Sequence, residues 1–287
     1  MTKQRLQENL MQAVFLLSAT ASILAVALIC LFLFANGIPA IGKIGVFEFI
    51  LGQDWSPTDI PPSFGILPMI LGSLYVTAGA VLLGVPIGIY TAVFMARGCP
   101  KPLYKLLKPA VDLLAGVPSV IYGFFGLVVI VPLVRTLSGR DGSSILAASI
   151  LLGLMILPTI IGITESALRA VPNELYENAL ALGASHERAV FRVMLPAARS
   201  GVLSAVVLGI GRAIGETMAV IMVAGNQPRM PDGILKGVRT LTANIVMEMG
   251  YAADLHWEAL IATGVVLFVF ILLMNLSFSA LRKGGAQ

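Results

Sequence analysis

Six stretches of this chain are long and apolar enough to leave water, and that pattern limits the fold more than any other feature. They run at about 12–35, 66–96, 110–134, 144–164, 201–224 and 259–281. A helix needs roughly 20 mostly apolar residues to cross the hydrocarbon core of a bilayer, and inside that core its backbone groups must pair within the segment. Composition agrees with a membrane solvent. Charged residues make up 12% of the chain, against about 25% in soluble domains, and the mean hydropathy is +0.93. The pattern predicts an all-α integral membrane protein with about six transmembrane helices in a single domain over 1–287.

The loops orient those helices. Positive residues concentrate on the cytoplasmic side of membrane proteins. With the N-terminus placed in the cytoplasm, one side holds twelve: Lys3, Arg5, Arg97, Lys101, Lys105, Lys108, Arg169, Arg188, Arg192, Arg199, Arg282 and Lys283. The other holds six: Lys43, Arg135, Arg140, Arg229, Lys236 and Arg239. Both termini are therefore expected to be cytoplasmic, with the 165–200 loop inside and the 36–65 and 225–258 segments outside. The net charge of +4 follows from this bias and calls for no nucleic acid. The basic loop at 97–108 suits contact with anionic lipid headgroups. The first apolar stretch exceeds the 7–15 residues of a signal-peptide core and no small-residue cleavage site follows it, so it is expected to stay as a first helix.

Enzymatic and metal chemistry find little support. Cys30 and Cys99 lie far apart, one of them within a span, and predict neither a disulfide nor a metal site. His186 and His256 are the only histidines and fall in loops on opposite sides. No Ser–His or H-E-x-x-H arrangement exists. Pro68, Pro86, Pro118 and Pro158 are all expected inside spans, where neighbouring helices can satisfy the freed carbonyls.

Residues 165–200 form the most informative polar segment, ESALRAVPNELYENALALGASHERAVFRVMLPAARS. Pro172 is well placed at a helix start. Asn173, Glu174 and Glu177 suit its first turns, and Gly183 can end it in a left-handed conformation. Ser185 can cap a second short helix. The expectation is a helix–Gly–helix hairpin with an exposed mixed-charge face. A second helix is expected near TLTANIVMEMGYAADL, where Met247, Met249 and Tyr251 would offer apolar surface to the membrane or to a partner.

The spacing Glu177-x-Ala179, Gly183, Val193-x-Leu195-Pro196 resembles the loop motif of ABC importer permeases, E-A-A-x3-G-x9-I-x-L-P, with Asn178 and Val193 as mild departures. The resemblance implies a type I importer permease fold with a cytoplasmic coupling-helix hairpin. It assigns Glu177, Ala179, Gly183, Ala184, Ser185, Leu195 and Pro196 to contact with an ATP-hydrolysing partner. The chain has no G-x4-G-K-[ST] phosphate loop of its own, so no cofactor is expected on it; ATP and Mg would sit on the partner. FGILPMILGSL, LLAGVPSVIYGFFGL, GRAIGETMAV and VRTLTANIVMEMGYA further resemble the PstC-type permeases of phosphate ABC importers. That resemblance implies a PstA-like sister permease, a PstB-like ATPase dimer and a PstS-like periplasmic phosphate-binding protein, in the inner membrane of a bacterium.

The stretch VLSAVVLGIGRAIGETMAVIMVA carries Arg212 and Glu216 near its middle. An Arg at a helix centre costs about 2.5–3.5 kcal/mol on insertion scales, and such residues mark pathways. On one continuous helix the pair would share a face, about 6 Å apart along the axis. The resemblance implicates both in phosphate movement, and a guanidinium fork matches phosphate oxygens. Two roles are open to Glu216: holding Arg212 when no substrate is present, or accepting a hydrogen bond from protonated phosphate, which sulfate cannot supply. A purely structural ion pair is a third reading, with Gly211 and Gly215 allowing close helix approach. Thr217 and Asn226 are further polar candidates for the pathway. Ser119 and Tyr122 join them on resemblance and helical spacing. A permease for another oxyanion (phosphonate, sulfate or molybdate) and an ATP-independent secondary transporter remain as alternatives.

Overall fold

The computed structural model describes residues 3–284, with side chains over 7–277. Lys3, Arg5, Arg282 and Lys283, four of the charges used for orientation, lie outside the described side chains. Helix α1 (Lys3–Ile44) is followed by a short α2 (Val46–Leu51). Two brief antiparallel strands come next, β1 (Trp55–Ser56) and β2 (Ser63–Phe64), with Trp55 opposite Phe64. Helix α3 (Leu67–Val93) ends in a π-helical turn, Phe94–Gly98. Then come α4 (Lys101–Gly116), α5 (Ser119–Phe125), a π turn over Gly126–Ile130, and α6 (Val131–Ser138). Helix α7 (Ile145–Ala170) leads to a hairpin of α8 (Asn173–Ala181), α9 (His186–Ala189), a π turn over Val190–Met194 and α10 (Leu195–Ala197). Finally α11 (Arg199–Gly215), α12 (Met218–Val223), α13 (Leu241–Glu248) and α14 (Asp254–Gly284) complete the chain.

Among the described residues five helical segments are long and apolar enough to cross a membrane: Gln7–Ile44, Leu67–Gly98, Ser119–Ser138, Ile145–Ala170 and Asp254–Ser277. The count reaches six if the pair His186–Ala197 and Arg199–Gly215, bent by 71°, is one span. Two expected spans are corrected. The 110–134 run is broken, because Val117 is extended (φ −69°, ψ 126°) ahead of Pro118. A proline disfavours the helical region for the residue before it. The first part of that run belongs to α4, and the span starts at Ser119. The 201–224 run is broken at Glu216, which is also extended (φ −71°, ψ 130°). Of the four prolines, Pro86 and Pro158 lie inside helices. Pro68 instead occupies the first turn of α3, where its missing N–H costs nothing.

Helix α7 is the centre of the bundle. It packs along α3 and α11, and more briefly on α4 and α12. Leu151, Leu152, Met155, Ile156 and Ile160 are fully buried along it. Close approach is possible because α3 turns Gly84 and Gly88 towards Ile156 and Ile160; a Cβ on Gly84 would come within 2.8 Å of the Ile156 side chain.

The two ends of the bundle differ. At one end α2, β1, β2 and α13 fold over the helices as a cap. Phe49, Trp55, Phe64, Ile66, Met69, Leu241 and Leu260 form its buried core. Helix α13 is consequently more buried than expected. Leu241, Thr242, Ala243, Asn244 and Glu248 are interior, Met249 packs on the cap core, and Val246 and Tyr251 remain exposed. At the opposite end stands the α8–α10 hairpin.

Candidate functional site

The arginine helix ends one turn after its arginine. Gly215 is its last residue, and Glu216 and Thr217 separate it from α12. Arg212 and Glu216 therefore do not share a helix face, which corrects the expected pairing. A carboxylate oxygen of Glu216 instead accepts the Ala219 N–H at 3.2 Å. That N–H is one of the donors left free at the start of α12. The Glu216 carbonyl accepts from the Thr242 hydroxyl of α13 at 3.1 Å, and the Thr217 hydroxyl folds back on the Gly215 carbonyl at 3.2 Å. These contacts hold the break open without any partner for the arginine.

Arg212 is half-buried and makes no ion pair among the described residues. Its nearest polar neighbour is the Thr159 hydroxyl of α7, at a long 3.5 Å. The packing reading of Gly211 and Gly215 does not hold within this chain, since a Cβ on either would meet nothing within 4 Å among the described residues.

Tyr122 and Ser119 come to the same region. Helix α5 packs on α12, with Gly123 against Ala219 and Met222. The Tyr122 hydroxyl donates to the Leu114 carbonyl at 2.8 Å, so it bridges the break between α4 and α5. Tyr122 shares one buried cluster with Ala213, the residue after Arg212, and with Ala219 of α12. Arg212, Glu216, Thr217, Ser119 and Tyr122 thus gather around two helix breaks. Asn226 stands apart. It has a left-handed backbone (φ 53°), its amide donates to the Ile221 carbonyl at 2.7 Å, and its own carbonyl accepts from Arg239 at 3.1 Å.

Arg239 belongs to a buried polar knot in the cap that the sequence reading missed. Glu248 is its centre. One oxygen of Glu248 accepts from Arg239 at 2.5 Å. The other meets the Trp55 indole N–H at 2.9 Å and His256 Nε2 at 2.8 Å. Arg239 also donates to Asn244 at 2.9 Å. The knot joins β1, α13, the start of α14 and the loop after α12. The loop after α12 also lines a mixed-charge cleft of about 870 Å3, with Arg140, Asp141, Arg229, Asp232 and Lys236 among its walls. There a hydrogen bond from Lys236 and its charge hold the Asp232 carboxyl below its ordinary range.

The hairpin is built as its sequence predicts. Glu177 is exposed and accepts from Asn173 at 2.6 Å. Ala179 is buried. Gly183 takes φ +85°, and the Ala184 N–H closes on the Ala179 carbonyl at 3.0 Å. The Ser185 hydroxyl accepts the Arg188 N–H at 3.3 Å. Leu195 is half-buried and Pro196 exposed where the chain turns into α11. His186 bonds to the Tyr176 hydroxyl at 2.8 Å.

A second buried carboxylate lies where the hairpin leaves the bundle. Glu165, on α7, has a side chain 4% exposed. It accepts from Tyr104 at 2.7 Å and Arg169 at 2.9 Å, with Lys108 at 3.5 Å. The hydrogen bond to Glu165, then burial, hold the Tyr104 hydroxyl above its ordinary value. Lys108, expected only to mark topology and meet lipid, in fact splits its charge between Glu165 and Asp112.

The chain belongs to the inner membrane components of binding-protein-dependent transport systems, whose family model matches residues 84–284. It is a multi-pass permease component with the type I importer permease fold. It is 38% identical over 266 residues to the probable ABC transporter permease protein YqgH of Bacillus subtilis, covering 90% of this chain and 86% of the relative. To the phosphate transport system permease protein PstC of Mesorhizobium japonicum it is 36% identical, covering 84% and 80%. In fold it matches a bacterial ABC transporter involved in import of the acidic polysaccharide alginate, with a TM-score of 0.61 at 17% identity over 97% of this chain and 98% of that one.

Proposed function

We propose that this chain is the PstC-type permease of an ATP-driven inorganic phosphate importer, and that substrate crosses beside Arg212. One observation carries the reading: Arg212 is a half-buried cation with no carboxylate partner among the described residues, set one turn before a helix break with the Thr159 hydroxyl 3.5 Å away. A charge so placed is stabilised when an anion arrives, and a guanidinium fork binds phosphate oxygens in pairs. The similarity to PstC proteins over most of the chain supports phosphate as that anion. A PstA-like sister permease would supply the facing wall of the path. A PstB-like ATPase dimer would receive the α8–α10 hairpin through Glu177, Ala179, Gly183, Ala184, Ser185, Leu195 and Pro196, and would hold the ATP and Mg. A PstS-like phosphate-binding protein would deliver substrate at the cap end. In this reading both termini and the hairpin are cytoplasmic and the cap is periplasmic.

The test is uptake of labelled phosphate into vesicles holding this chain with its sister permease, ATPase and receptor. Uptake that requires ATP and that sulfate does not inhibit is the expected result. Transport of another oxyanion in place of phosphate overturns the substrate, and uptake without ATP overturns the role of the hairpin.

A further inference from the structure

The hairpin and the pathway are separate in space, so a coupled transporter needs a physical link between them. Such a link is a set of packed and bonded groups that move together. On the hairpin side, Arg97 in the turn after α3 donates to Asn173 of α8 at 2.8 Å and to the Leu168 carbonyl of α7 at 3.4 Å. Its guanidinium also lies 5.8 Å from the centre of the Tyr176 ring. Arg169 ties the end of α7 back to the Met95 carbonyl at 3.1 Å. The first hairpin helix, the π turn and the last turns of α7 are thereby fastened into one body.

Helix α4 is fastened to that body in one polar place. Its apolar packing is a single strip, in which Tyr104, Leu107 and Val111 meet Ala92, Met95, Leu157 and Ile161. The polar contact is Glu165, bonded to Tyr104 and Lys108 of α4 and to Arg169 of its own helix. The Arg169 guanidinium lies 4.8 Å from the centre of the Tyr104 ring. At its far end α4 stops at the Val117–Pro118 break, where the Leu114 carbonyl accepts from Tyr122, a residue that shares a buried cluster with Ala213, next to Arg212.

We propose that Glu165 is a positioning residue, the joint through which hairpin movement reaches α4 and the Tyr122–Arg212 region. A buried carboxylate is suited to this. Parting α4 from α7 would strip Glu165 of Tyr104 and Lys108 and leave it Arg169 alone, and a buried carboxylate short of donors is unfavourable, so the charge on Glu165 favours α4 and α7 travelling together. The proposal rests on the hairpin being the contact with the ATPase.

The experiment uses the complete complex in proteoliposomes and reads two quantities: ATP hydrolysed and anion accumulated. The variants are Glu165→Gln and the milder Tyr104→Phe, which removes one hydroxyl. In Glu165→Gln the anion moved per ATP is expected to fall about tenfold, the equivalent of one charge-assisted hydrogen bond, while hydrolysis continues. Tyr104→Phe should lower the same ratio by less. A residue that only stabilised the fold would reduce assembled complex, hydrolysis and uptake together. An unchanged ratio in both variants, or in Tyr104→Phe alone should Glu165→Gln fail to assemble, overturns the joint. If the wild-type complex carries an anion other than phosphate, the ratio for that anion reads the joint equally well. A wild-type complex whose uptake consumes no ATP overturns the hairpin's role and the joint with it.

Discussion

At the scale of single residues, charge in this protein is either tied down or left free. Glu248 and Glu165 are buried and surrounded by donors, whereas Arg212 has no carboxylate partner among the described residues. Glu216 is the residue whose meaning changes most between sequence and structure. Capping α12 occupies one of its oxygens, and the other has no hydrogen bond among the described residues. Gln keeps a carbonyl acceptor for the cap and Ala does not. Glu216→Ala should therefore cost about 1 kcal/mol of stability, as cap losses do, and Glu216→Gln much less. Thermal unfolding of the detergent-solubilised complex checks both. If the second oxygen senses the phosphate proton, Glu216→Gln should let sulfate compete for uptake; uptake still indifferent to sulfate would remove that role. Glu248 allows a larger forecast. Glu248→Ala would take the shared acceptor from His256 and the Trp55 indole and the countercharge from Arg239, which would keep only Asn244 and the Asn226 carbonyl. Breaking such a buried pair costs about 3–5 kcal/mol, so this variant should melt well below Glu216→Ala in the same assay.

At the scale of elements, the hairpin was fully legible and the broken helices were not, for a physical reason. The hairpin's signals are local: Pro172 at a start, Gly183 at a stop, Ser185 at a cap. Each acts through its own backbone, and each appears where its chemistry puts it. The glycine can be tested alone, because a Cβ at position 183 would meet nothing within 4 Å among the described residues. Gly183→Ala should then cost only the left-handed backbone penalty, about 1–2 kcal/mol. It should weaken capture of the ATPase on a column carrying the permease pair, while leaving the pair itself associated. Apolar composition, by contrast, reports that a segment is buried and not which way its backbone runs. The 201–224 stretch reads as one span because apolar composition does not record the contacts that hold the break, which come from Glu216 and Thr217 within it and from Thr242 of α13 outside it. Pro118 did announce its break, since the residue before a proline avoids the helical region. The surrounding apolar run outweighed it. The Glu248 knot joins Trp55 to a residue 193 positions away, and no periodicity in either segment records that.

At the scale of the whole molecule, the two ends carry different tasks, and everything proposed for them depends on which end faces the cytoplasm. A thiol at one end of the bundle reports that orientation directly. Cys99 is well suited. It sits between the π turn and α4, two residues from the Arg97 that holds the hairpin, and it is a free, half-exposed thiol. Cys30, the other cysteine, lies within the first span, where a charged reagent has no aqueous route. In a Cys30→Ser background any labelling therefore belongs to Cys99. A membrane-impermeant maleimide added to intact spheroplasts should leave Cys99 unmodified, and permeabilising the membrane should expose it. Arg140, Arg229, Lys236 and Arg239 lie on loops at the cap end, with Arg135 in the last turn of α6, and a cysteine introduced at Arg140, in the open cleft, should show the opposite pattern. Labelling of Cys99 in intact spheroplasts would put the hairpin outside the cell. An ATPase could not then reach it, and both the coupling surface and the Glu165 joint would have to be abandoned, while the helical fold and the family would stand.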